Sequence, residues 1–81
     1  MTPRVIEARY VHGYVVHVRF SDGHEGDIDL EVELWGEIFE PLRDPAYFRQ
    51  FQVRTDLGTI TWPNGAGFAP EFLYDLVRIP A

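Results

Sequence analysis

The amino-acid sequence predicts a two-layer α+β domain in the order β-β-β-α-β-β-α: a three-stranded antiparallel meander, a helical segment, a second two-strand hairpin and a C-terminal helix. Three observations predict it. Apolar residues alternate with polar ones from Val5 to Leu30, their period lengthens to four at Leu34, and Gly, Asp, Asn and Pro clusters punctuate the β-prone runs. With 81 residues the chain forms one domain, 1–81, because compact domains run from about 50 to 250 residues.

From Val5 to Val11, Ile6, Ala8 and Tyr10 share one side with Glu7 and Arg9 opposite, the pattern of a half-buried strand. His12-Gly13 turns the chain. Tyr14, Val16, Val18 and Phe20 then make the inner face of a second strand, with Val15, His17 and Arg19 outside. Ser21-Asp22-Gly23 supplies the next turn, and Gly26, Ile28 and Leu30 alternate with Glu25, Asp27, Asp29 and Glu31 in a third strand. Leu34, Ile38 and Leu42 fall at helical spacing, with Trp35 and Phe39 beside them. Pro41 interrupts that stripe, so a broken helix or two short turns is expected. Asp44-Pro45 reads as an N-cap and first helical residue. The runs 51–54 and 58–62 form a hairpin around Thr55-Asp56-Leu57-Gly58, and Pro63 to Gly67 is loop. A last helix opens at Ala69-Pro70-Glu71, turns Phe72, Leu73, Leu76 and Val77 inward, and closes at Pro80.

The balance of 13 acids against seven basic residues gives a net charge of −6, which repels phosphate backbones and argues against direct nucleic-acid binding. A hydrophobic content of 46% with 15% aromatics supplies a core that acidic disordered tails lack. No cysteine is present, which excludes a disulfide framework and a thiolate zinc site. All seven basic residues are arginines, so lysine chemistry such as a Schiff base is absent. No apolar run is long enough for a signal peptide or a membrane span, and a cytoplasmic protein is expected. At this size stability is marginal, which gives a physical motive for a homo-oligomer or a partner protein.

Charge is distributed unevenly. Residues 1–21 carry three arginines and one acid, residues 22–40 carry eight acids and no basic side chain except His24, and residues 41–81 carry four acids and four arginines. On a third strand with Ile28 and Leu30 inward, Glu25, Asp27, Asp29 and Glu31 line the outer face. Three readings stand: a solvated face that blocks edge-to-edge aggregation, a patch that steers a basic partner, and a Ca²⁺ or Mg²⁺ site, though the EF-hand ligand order is missing.

No catalytic residue emerges. Ser21, the sole serine, is explained by its turn, and Asp27 and Asp29 have no sign of the burial that perturbs a catalytic carboxylate. Two zinc ligands from His17 and His24 fall short of the four that structural zinc takes. Trp62-Pro63-Asn64-Gly65-Ala66-Gly67 sets an aromatic beside a glycine-rich loop, which suits a small pocket or an interface anchor; the same residues also suit a tight turn after a core tryptophan. No GxGxxG or Walker pattern occurs.

Phe20-Ser21-Asp22-Gly23 with Asp29-Leu30, Ile38-Phe39-Glu40-Pro41-Leu42 before Phe48, Ile60-Thr61-Trp62-Pro63-Asn64-Gly65-Ala66, and Pro70-Glu71-Phe72-Leu73-Tyr74 together resemble the small bacterial "domain of unknown function 2442" family. The resemblance implies a compact α+β domain and no assigned activity. It also implies an aspartate after the Gly-Ala pair, where this chain has Gly67. Relatives of this kind resemble either a module fused to a helix-turn-helix or a stand-alone partner in a toxin-antitoxin-like pair, and 81 residues fit the second.

The expectation is therefore a non-enzymatic interaction protein without cofactor or metal. It would bind a basic partner through Asp27, Asp29, Glu31 and Glu33, with Trp62, Asn64 and Tyr74 as further contacts. The alternative is a small-molecule or metal sensor with its pocket near the loop from Trp62 to Gly67.

Overall fold

A computed structural model describes residues 3–78 of the chain. Strands β1 (Val5–His12), β2 (Val15–Phe20) and β3 (Glu25–Asp29) form an antiparallel sheet in that order. Val16, Val18 and Phe20 of β2 are fully buried, and Ile28 continues the same face on β3. This is the predicted meander, with one correction in its first strand. Val5 pairs with Phe20 and Glu7 with Arg19, so Ile6 is the extra residue of a bulge. The bulge shifts the phase of the alternation, burying Val5 completely and leaving Ile6 46% exposed. Ala8 and Tyr10 still pack on the core. The first turn also moves by one residue, to Gly13-Tyr14, because His12 pairs with Val15.

Between the sheets the chain makes two 3₁₀ turns, Glu31–Glu33 and Glu37–Arg43, and then the one-turn helix α1 (Pro45–Phe48). The expected stripe of Leu34, Ile38 and Leu42 is corrected here. At three residues per turn, i and i+3 share a face. Phe39 and Leu42 accordingly turn to the core, whereas Ile38 is 50% exposed. Pro41 sits inside the second turn, and the break comes earlier, at Gly36 with φ of 93°. Asp44 caps α1 as predicted, accepting the Ala46 N–H at 3.0 Å ahead of Pro45.

Strands β4 (Gln52–Arg54) and β5 (Thr59–Thr61) make a separate two-stranded sheet. The Val5 N–H donates to the Gly58 carbonyl at 2.9 Å, and the Arg4 guanidinium donates to the Thr55 and Asp56 carbonyls at 2.9 and 3.0 Å. These bonds lash the hairpin to the start of β1. Helix α2 (Pro70–Arg78) lies across β3, where the Val77 Cγ1 stands 3.4 Å from the Cβ position of Gly26. Leu73 is fully buried and Phe72 and Val77 pack on the core, but Leu76 falls on the flank at 36% exposure, contrary to its predicted inward place. The predicted stop at Pro80 lies outside the described residues.

The core centres on Trp62. Its ring centroid lies 5.7, 6.1 and 5.9 Å from those of Phe48, Phe51 and Phe68, and its Nε1–H donates to the buried Phe48 carbonyl at 2.8 Å. Trp62→Phe removes this donor and opens a void, so a loss of about 2–4 kcal/mol in unfolding free energy is expected by urea denaturation.

Candidate functional site

The Trp62-to-Gly67 loop is a closed turn. The Gly65 N–H donates to the Trp62 carbonyl and the Trp62 N–H to the Ala66 carbonyl, each at 2.9 Å. Gly65 has φ of 91°, a left-handed conformation that a side chain disfavours. Asn64 works in both directions: its Oδ1 accepts the Ala66 N–H at 3.1 Å and its Nδ2 donates to the Ile38 carbonyl at 2.8 Å. Trp62 is only 3% exposed. Two of the candidate contact residues, Trp62 and Asn64, are thus engaged in holding α1 and the second 3₁₀ turn against the hairpin.

Tyr74 has a fastening role on α2. Its hydroxyl donates to Asp22 Oδ2 at 2.6 Å, and its ring meets Phe20 edge-on at 5.1 Å. The Tyr74 hydroxyl is the main cause holding the Asp22 carboxyl below its ordinary range, helped by the His24 backbone N–H.

The acidic row is shorter than predicted. Glu25, Asp27 and Asp29 lie on the outer face of β3, but the strand ends at Asp29 and Glu31 enters the first 3₁₀ turn. Asp29 Oδ1 accepts the Glu31 N–H at 3.0 Å and so starts that turn. His17, on the neighbouring strand, stands between the other two: its Nδ1 is 2.7 Å from Asp27 Oδ1 and its Nε2 is 2.9 Å from Glu25 Oε1. Both ring nitrogens donate at once only in the imidazolium form. The hydrogen bond to Asp27, then that to Glu25, raises the His17 pKa above its ordinary 6.5, against partial desolvation and the Arg9 charge.

The segment after the row has a different character. Val32 is 78% exposed, Trp35 73% and Ile38 50%. They are spaced three residues apart, with Glu31, Glu33, Glu37 and Glu40 between and beyond them and no basic side chain among them. Leu34 enters the core beside Trp35, and Gly36 reverses the chain directly after it, which leaves the indole in solvent. Spacing sets Trp35 beside the expected helical stripe; the signal in the sequence against a helix there is Gly36, which disfavours one.

On the outer face of the hairpin a cleft of about 350 Å³ is lined by Gln52, Arg54, Leu57, Thr61, Trp62, Pro63 and Gly65. It adjoins the predicted loop. Among the described residues no group of three or more His, Cys, Asp or Glu side chains is placed to hold a metal ion, so the metal form of the sensor alternative has no site there. No described helix is long and apolar enough to cross a membrane.

The family model described as "Protein of unknown function (DUF2442)" matches residues 5–78. The chain belongs to this family. No curated protein and no solved structure matches it. In this DUF2442 chain the Trp-Pro-Asn-Gly-Ala block that carries the resemblance is the hydrogen-bonded turn described above. Gly67 follows it with little room: a Cβ there would lie 3.1 Å from Thr61 Cγ2 and 3.2 Å from the Ile60 carbonyl oxygen. An aspartate at this position requires those neighbours to yield.

Two outcomes follow for the DUF2442 fold. Asn64→Ala loses both loop bonds and is expected to lower unfolding free energy by about 1–2 kcal/mol in thermal or urea unfolding. His17 has a folded-state pKa above its unfolded 6.5, so its contribution is fully present below pH 6.5 and is lost as pH rises through the raised value. The stability difference between the native chain and His17→Asn is therefore expected to shrink as urea midpoints are measured from about pH 6 to about pH 9.

Proposed function

We infer that this protein is a cytoplasmic, non-enzymatic interaction module that binds a small basic protein in an antitoxin-like pairing. The observation that carries the reading is the 73% exposure of Trp35 within an acid-rimmed segment. A large aromatic left in water loses the favourable transfer of its surface, and exposed apolar groups with a polar rim characterise contact surfaces. Val32, Trp35 and Ile38 supply the apolar centre, and Glu31, Glu33 and Glu37 supply a rim of one sign, with Asp27 and Asp29 extending it along β3. Trp35 replaces Trp62 as the anchor, because Trp62 is buried.

The rim also chooses between partners. Two copies of this face would bring like charges together across a low-dielectric contact, which disfavours the homo-oligomer and favours a basic partner. Arginine or lysine on that partner would meet the glutamates while an apolar surface covers the indole.

The chain used as bait against lysate of its native cell at low salt is expected to retain one stoichiometric basic protein, released as salt screens the rim. With the purified pair, Trp35→Ala is expected to weaken binding by at least about thirtyfold, corresponding to about 2 kcal/mol for an interface anchor, with unchanged unfolding of the isolated chain. Retention of the same partner at equal affinity by both Trp35→Ala and Ile38→Ser overturns the reading, as does the absence of any stoichiometric basic partner.

A further inference from the structure

We propose that the cleft on the outer face of the β4–β5 hairpin binds a small planar molecule joining an apolar ring to a carbonyl or carboxylate oxygen. The site is separate from the 31–38 segment and independent of the partner reading.

The register places its polar groups. Gln52 stands directly opposite Thr61, and Arg54 lies two residues along the same strand, on the same side of the ribbon. The side chains of Gln52 and Thr61 make no hydrogen bond among the described residues. That sets them apart from their neighbours. The Thr59 hydroxyl donates to the Phe68 carbonyl at 2.6 Å, and Asn64 uses both ends of its amide within the loop. Of the polar side chains lining the cleft, Gln52 and Thr61 thus keep their hydrogen-bonding groups available.

Arg54 is held in position. Its Nε and Nη2 donate to the two oxygens of Asp56 at 3.1 and 2.9 Å, a fork that fixes the guanidinium plane and leaves its other N–H donors uncommitted. A positioned planar donor suits an sp² oxygen. Because Asp56 offsets the Arg54 charge, the site does not require a full anion, and a carboxamide and a carboxylate share the chemistry it recognises.

Apolar walls complete it. Leu57, 52% exposed, lines the cleft together with Pro63 and Trp62. The volume of about 350 Å³ falls at the lower end of the range of about 300–1,000 Å³ for small-molecule sites, which suits a single ring with one polar substituent.

Titrations of the ¹⁵N-labelled chain with benzoate, benzamide and acetate, followed by ¹H–¹⁵N correlation spectra, test the proposal. Benzoate and benzamide are expected to give saturable shifts at Gln52, Arg54, Thr61 and the Trp62 indole, with acetate at least about tenfold weaker for want of a ring. Arg54→Gln is expected to weaken benzoate about tenfold, and Leu57→Ala to weaken both ring probes about threefold. Thr61→Val gives a second polar deletion should Arg54→Gln unfold, with both probes expected to weaken about threefold. The proposal is overturned by no saturable shift with either ring probe, by acetate matching benzoate, by shifts centred on Trp35 and Ile38, or by affinities unchanged in the folded variants.

Discussion

The hydrogen bond from the Trp62 indole to the Phe48 carbonyl is the constraint on which the rest of the structure depends. It joins the end of β5 to the end of α1, two pieces too short to be stable alone, within the buried core. A one-turn helix has carbonyls that its own geometry does not satisfy, and the indole supplies a donor to one of them. Phe48 in turn meets Tyr14 edge-on at 5.3 Å, and Phe68 stacks on Phe39 and Phe72, so the aromatic cluster reaches the start of β2, the second 3₁₀ turn and α2 from this point. The tight Pro63-Asn64-Gly65 turn holds the tryptophan, and Asn64 uses the same turn to hold Ile38.

That arrangement governs the surface as well as the core. Because Asn64 and Phe68 fix the second 3₁₀ turn from one side, Phe39 and Leu42 must face inward and Ile38 outward. Gly36 then sets Trp35 in solvent opposite the buried Leu34. In the second 3₁₀ turn the three-residue period that brings Phe39 and Leu42 to the core leaves Ile38 exposed.

The acidic character of the chain divides into two kinds. Along β3 the carboxylates have structural work: Glu25 and Asp27 grip His17, Asp29 starts a 3₁₀ turn, and Asp22 ties the second turn of the meander to α2. From Glu31 to Glu40 no cation of the chain answers the glutamates in an ion pair among the described residues. This second group flanks the exposed Trp35 in the sequence.

Much of this fold was legible in the sequence. The two-residue alternation through Val16, Val18 and Phe20 determined the meander, Asp44-Pro45 determined where α1 begins, and the clustered acids located the charged segment. Strand periodicity is legible because a pleated backbone leaves each side chain only two directions. Three features were decided by tertiary structure alone. The Ile6 bulge depends on how β1 meets β2, and a one-residue insertion leaves no mark in composition. The outward turn of Ile38 depends on a 3₁₀ rather than an α-helical period, which share the same residues over so short a segment, and that of Trp35 on the bend at Gly36 between the two 3₁₀ turns. The burial of Trp62 depends on a carbonyl fourteen residues away in the chain, which local pattern does not reveal: whether an aromatic residue serves as core or contact is set by what packs over it.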